Sequence, residues 1–121
     1  MDIEQVRRIA LALPEAYERG SYDDRPSWRT EPRMFAIVGE DPGKLAVWVA
    51  SLDEKDALLA SDPGIFSTIP HHDGHPMVLV DLATVEVDEA TELITESWRL
   101  RAPKRAVAAF DDPTPPRRPP R

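Results

Sequence analysis

Cysteine does not occur in the 121 residues, which excludes a disulfide framework, a thiolate nucleophile and a cysteine-held zinc. Glycine is scarce as well: the five glycines stand at positions 20, 39, 43, 64 and 74, too scattered for a phosphate loop or a dinucleotide fingerprint. No serine sits in a Gly-x-Ser-x-Gly elbow. Apolar runs such as residues 45–50 are far too short to cross a bilayer. The first residues carry neither the basic region nor the apolar core of a secretory signal, so the expectation is a cytoplasmic protein with no membrane partner. Together these gaps predict a protein that is not an enzyme.

Positive charge is thin over most of the chain. The formal net charge is −7, unevenly spread: residues 1–100 carry 9 Lys/Arg against 20 Asp/Glu, a net of −11, whereas residues 101–121 carry 6 against 2, a net of +4. An acidic body repels nucleic acid at long range, so any phosphate contact has to be local. With 41% hydrophobic and 31% charged residues the composition is globular, and the length suits one domain able to bury a core without staples.

What is present falls into alternating periodicities. Residues 2–13 read as a helix, with Asp2 and Gln5 in capping-box positions and Ile3, Val6, Ala10 and Leu13 on one stripe; Pro14 stops it. Strand patterns follow at 16–21, 27–30, 34–38 and 44–50, with a hairpin turn at 39–43. In the stretch 44–50, Leu45, Val47 and Val49 share one face and Ala46, Trp48 and Ala50 the other, the signature of a central strand. Ser51 and Glu54 open a short helix to about residue 60. Strands at 65–69 and 77–82 flank a polar loop, and a long helix over 87–101 precedes a short one over 103–110. The predicted order is α-β-β-β-β-α-β-β-α-α. It implies an α+β domain over residues 1–111, an antiparallel sheet of about six strands with helices packed on one face. The barer sheet face is then the place to look for a site. Residues 112–121, rich in Pro and Arg, are expected to be a disordered tail that could serve as a polyproline ligand or an electrostatic tether.

Three groups of residues bear chemistry. All three histidines, His71, His72 and His75, share one loop with Asp73; imidazole and carboxylate suit zinc or nickel, but the spacing matches no metal signature, and the alternative is a polar inter-strand loop. Acidic sets at helix starts (Asp53, Glu54, Asp56; Asp88, Glu89, Glu92) suit a hard cation or a basic partner, or simply complement the helix dipole. Arg25, Arg29 and Arg33 cluster around Tyr22 and Trp28, a combination able to grip phosphate and stack bases, or to pair with Asp23, Asp24 and Glu31. Alternation places Arg29 opposite Trp28 across the strand.

The ordered set of local motifs resembles the MmcQ/YjbR family over about residues 1–111. The similar blocks are the opening Val6-Arg7-Arg8-Ile9-Ala10-Leu11-Ala12-Leu13-Pro14-Glu15; Tyr22, Pro26, Trp28, Arg29 and Met34-Phe35-Ala36; Pro70-His71 with Val78-Leu79-Val80; and Ser97-Trp98-Arg99-Leu100 with Ala102-Pro103-Lys104-Arg105. The resemblance implies a CyaY-like (frataxin-like) fold with a double-wing arrangement and the label DNA-binding, and it carries over no catalytic residue. Phosphate contacts are then expected from Arg25, Arg29, Arg33, Lys104 and Arg105, with His71 and His72 as edge-loop contacts. The alternatives are an acidic protein- or metal-interaction module, and a small-molecule binder on the open sheet face around Tyr22, Trp28 and Trp48. The chain is expected to be a monomer, partnered by DNA or a protein, with no cofactor and no resident metal.

Overall fold

The computed structural model describes residues 1–111; the tail expected at 112–121 lies outside the described residues. Helix α1 (Ile3–Leu11) starts with the capping box the sequence predicts: the Gln5 N–H donates to Asp2 Oδ1 at 2.8 Å and the Asp2 N–H to Gln5 Oε1 at 2.9 Å. Strands β1 (Tyr17–Ser21), β2 (Arg25–Arg29), β3 (Met34–Val38) and β4 (Lys44–Trp48) form a meander. Helix α2 (Leu52–Ser61) follows, capped by Ser51, then β5 (Phe66–Ser67) and β6 (Met77–Asp81). Helices α3 (Val87–Arg101) and α4 (Lys104–Asp111) close the described chain.

The six strands make one antiparallel sheet in the order β1-β2-β3-β4-β6-β5. All six expected strands are present, but β5 is far shorter than 65–69. After Ser67 the chain leaves the ladder, and Pro70 leads a single 3₁₀ turn at Pro70–His72. Proline has no N–H to offer a neighbouring strand, so the strand cannot run on through it.

The helices gather on one sheet face. There Trp28, Phe35, Val47 and Val78 bury fully against Val6 of α1 and Ile94 and Trp98 of α3. The opposite face keeps a small apolar patch, Ile37, Ala46 and Leu79, with Met34, Ile69 and Met77 packed against it. Period-2 alternation produces both sets from the same strands.

Alternation breaks at one place, on β3. The register shifts between Trp28 and Arg29, which pair with Ala36 and Met34, so that Phe35 is left over as a bulge. On the other side of β3 the register Ala36↔Val47 sets Phe35 opposite Trp48, where a regular ladder would have the Trp48 N–H donate to the Phe35 carbonyl. Instead the hydroxyl of Ser97, on α3 and wholly buried, is spliced between them. It accepts from the Trp48 N–H at 2.9 Å and donates to the Phe35 carbonyl. Two backbone groups that the bulge would orphan in the core are satisfied by one side chain.

Candidate ligand cleft on the open sheet face

Three rows of residues cross the open face, set by strand register. The middle row is Ser27, Ile37, Ala46 and Leu79, neighbours on β2, β3, β4 and β6. Two residues along the strands toward one end stand Arg25 and Lys44; two residues the other way stand Arg29, Trp48 and Met77. An apolar strip thus lies between two cationic ends. At about 3.3 Å per residue, Arg25 and Arg29 are roughly 13 Å apart along β2.

Side chains from outside the sheet raise walls around this strip. Arg33 comes from the β2–β3 turn, Arg101 from the end of α3, Tyr22 from the β1–β2 turn, and His71, His72 and His75 from the loop after β5. The result is a cleft of about 650 Å³, within the range of small-ligand sites. Met34 and Met77 line it above the buried Ile37, Ala46 and Leu79; thioether side chains adapt readily to the shape of a guest.

The charge in the cleft is lopsided. Arg25, Arg29, Arg33, Lys44 and Arg101 all line it, five of the twelve Lys and Arg in residues 1–111. Among the described residues none of the five forms a salt bridge; the ion pairs belong to Arg7, Arg99 and Arg105. Among the same residues the only carboxylates lining the cleft are Glu40 and Asp41, at the β3–β4 turn beside Lys44.

Two of the arginines are held by the backbone. Arg25 donates from Nε to the Tyr22 carbonyl at 3.0 Å and from Nη1 to the Val38 carbonyl at 3.2 Å. Arg101 donates from Nε to the Met34 carbonyl at 2.9 Å and lays its guanidinium over the Trp48 ring, 4.3 Å from its centroid. Burial lowers the pKa of Arg101, and the nearby charges of Arg33 and Arg29 lower it further. Three guanidinium groups therefore repel one another at one end of the cleft. The Nε of Arg29 is buried there without a hydrogen-bond partner among the described residues.

The histidine wall is organised by a buried lysine. Lys55 of α2 points its ammonium under the loop and donates to the His72 carbonyl at 2.7 Å and the His75 carbonyl at 3.0 Å. His72 is buried in turn, its Nδ1 without a partner among the described residues. Burial, and then the charges of His71, Lys55, His75 and Arg25, hold its pKa below the ordinary imidazole value. Among the described residues no group of three or more His, Asp or Glu is placed to hold a metal ion.

The residues picked out from the sequence divide accordingly. Arg25, Arg29, Arg33, His71 and His72 line the cleft, as do Tyr22 and Trp48. Tyr22 stands at the rim, 71% exposed, in a turn where residues 22–24 all have left-handed backbone. Trp28 does not line the cleft. It points to the helix face, is 0% exposed and donates from Nε1 to Glu18 at 3.0 Å, which corrects its assignment as a ligand contact on the open face. The physical reason is alternation: Trp28 pairs with Ala36, a core residue, whereas Ser27 pairs with Ile37 on the open face. Lys104 and Arg105 are exposed on α4 and neither lines the cleft; Arg105 pairs with Glu15 at 2.9 Å. Of the acidic sets, Glu54, Glu89 and Glu92 flank a separate groove between α2 and α3, with Glu96 beside them.

Arg101, Lys44, Met34 and Met77 are not evident as cleft residues from local patterns, whereas His75 joins the cleft with the loop already singled out. Arg101 reads in the sequence as the last turn of a helix, three residues beyond the core residue Trp98, and only the tertiary fold brings it over Trp48. The one local signal is the mixed face of β4, where Ala46 and Trp48 are too apolar for an exposed surface.

Comparison with known proteins fixes the lineage. The family model YjbR matches residues 11–100. This chain belongs to the YjbR family. It is 37% identical over 120 residues to the uncharacterized proteins Rv2570 of Mycobacterium tuberculosis and Mb2600 of Mycobacterium bovis, covering 88% of this chain and 93% of each relative. The fold is similar to the crystal structure of the Deinococcus radiodurans protein DR2400, a DUF419 domain, with a TM-score of 0.71 and 23% identity, covering 82% of this chain and 77% of that one. The YjbR chain is thus an α+β protein with a six-stranded antiparallel sheet, and no helix among its described residues is long and apolar enough to cross a membrane.

Proposed function

We propose that this YjbR protein is a non-enzymatic binding protein that takes a small organic anion into the cleft on the open face of its sheet. The observation that carries this reading is the set of five cationic side chains around an apolar strip, none neutralised by a salt bridge among the described residues. Unpaired charge partly withdrawn from water is costly unless a ligand compensates it. The apolar strip and adaptable methionines then favour a guest with a hydrocarbon or aromatic body.

The test is a titration of the ¹⁵N-labelled protein with hexanoate, followed by NMR. Shifts concentrated at Ile37, Ala46, Leu79 and the Trp48 indole are expected. Absence of any saturable shift with hexanoate, hexyl sulfate or hexyl phosphate at millimolar concentration would overturn the reading.

A second reading, nucleic-acid binding, is favoured by one specific observation: Arg25, Arg29 and Arg33 line one cleft with the exposed Tyr22 at its rim. A single strand laid there would meet guanidinium groups and an aromatic face. This reading predicts anisotropy changes with labelled oligonucleotides at low salt, falling steeply with added salt, and insensitivity to Met34→Gln and Met77→Gln. The cleft reading predicts the reverse sensitivity.

A further inference from the structure

We propose that the anion held in this cleft is a phosphate monoester, with its phosphate at the Arg29, Arg33 and Arg101 end and its apolar body along Ile37, Ala46 and Leu79. The inference rests on the cleft reading above and goes further by naming the charge, the shape and the orientation of the ligand.

Orientation follows from the difference between the two ends. At the Lys44 end, Glu40 and Asp41 also line the cleft, and both Nε and Nη1 of Arg25 are already given to backbone carbonyls. At the other end no carboxylate among the described residues lines the cleft. Arg33 donates no side-chain hydrogen bond among the described residues, the Nη nitrogens of Arg101 make none, and the Nε of Arg29 is buried without one. The end without carboxylates thus holds the larger share of donors that lack acceptors, whereas Arg25 and Lys44 at the other end each have bonded partners.

Charge and shape follow from the number of those donors. Three guanidinium groups line this end of the cleft without a carboxylate among the described residues, so positive charge is left over after a single negative charge is bound. A phosphate monoester carries close to two negative charges near neutral pH and offers three peripheral oxygens in a tetrahedral fan. A carboxylate offers two oxygens in one plane, enough for one arginine fork. The Trp48 ring under Arg101 holds that guanidinium in a fixed plane, and the Met34 carbonyl fixes its Nε edge, so its remaining nitrogens are pre-set before a ligand arrives.

The experiment compares three probes of equal chain length, hexyl phosphate, hexyl sulfate and hexanoate, titrated into the full chain at pH 7.5 and read by NMR. Hexyl phosphate is expected to bind at least about tenfold more tightly than either monoanion. Arg33→Gln and Arg101→Gln are each expected to erase that preference, and Lys104→Gln with Arg105→Gln, outside the cleft, to retain it. If hexyl sulfate or hexanoate binds as tightly as hexyl phosphate, the phosphate assignment is overturned and the cleft reading stands. If the preference survives both arginine variants, the orientation is overturned. If none of the three binds, the cleft reading itself fails.

Discussion

The guanidinium of Arg101 lies over the indole of Trp48 at 4.3 Å, held there by its Nε hydrogen bond to the Met34 carbonyl. The pairing sets a charge where the protein does not welcome it, since burial and the neighbouring Arg33 and Arg29 all disfavour the charged form. Arg101→Gln is therefore expected to leave the stability of the ligand-free protein within about 1 kcal/mol of wild type, the lost cation–π contact and hydrogen bond being offset by relief of repulsion. Affinity for hexyl phosphate should fall at least about tenfold, the worth of one charge-assisted hydrogen bond. A large drop in stability with unchanged affinity would mark Arg101 as a structural residue instead. Arg101→Lys should also lose affinity, because an ammonium cannot lie flat on the ring and present a fork.

Ser97→Ala tests the hydroxyl that bridges β3 and β4. Its removal leaves the Trp48 N–H and the Phe35 carbonyl without partners in a buried setting. A loss of about 2–4 kcal/mol is expected from urea unfolding, at about 1–3 kcal/mol for each orphaned group. A loss below about 1 kcal/mol would mean that the two strands close up and bond directly.

Lys55→Met removes the ammonium that holds the His72 and His75 carbonyls while keeping most of the apolar stem. Faster hydrogen exchange is expected across residues 69–77, with little change in β1 and β2. Uniformly faster exchange would show that the loop and the sheet open together, and that Lys55 supports the whole fold.

Acidification should weaken the fold through His72. Its folded pKa lies below the ordinary value of 6.5, chiefly because burial disfavours the charged ring, with His71, Lys55, His75 and Arg25 adding repulsion. Below about pH 6.5 the unfolded chain takes up a proton that the folded chain resists, so stability falls as pH falls, until the folded pKa is passed. His72→Gln should flatten that segment of the pH–stability curve.

Lys104→Gln with Arg105→Gln is the control set by geometry. Neither residue lines the cleft and both are exposed, so hexyl phosphate affinity should stay within about twofold and stability within about 0.5 kcal/mol. If oligonucleotide binding is detected and is lost in this double variant, the contact surface lies on α4 and not on the sheet.

Element type and order are legible because each has a strong local signal: the Asp2–Gln5 capping box, the Ser51 cap and the alternation along β4 all stand in the structure as the sequence implies. The location of the site on the barer sheet face follows from the clustering of helices at the chain ends. Its composition is only half legible. Arg25, Arg29 and Arg33 stand close in sequence and so announce themselves. Arg101 reaches the same cleft across 67 residues, to the Met34 carbonyl, and no local pattern encodes that distance. Trp28 misleads for the opposite reason: Arg25 and Arg29 on the same strand line the cleft, while its own side chain belongs to the other face. The burial of Lys55 has no local signature, since its two acceptors lie 17 and 20 residues away.

The bulge at Phe35 works as a frame shift in the alternation of β3. Downstream of it Ile37 faces the cleft and Val38 the core; at the bulge Phe35 and Ala36 both face the core, and upstream Met34 returns to the cleft. Were β3 to pair without the bulge at unchanged length, the frame upstream of Ala36 would invert: Phe35 would turn to the cleft and Met34 to the core, and the turn that carries Arg33 would be re-aimed. One surplus residue thus lets a strand serve the helical core and the cationic end of the open face at the same time.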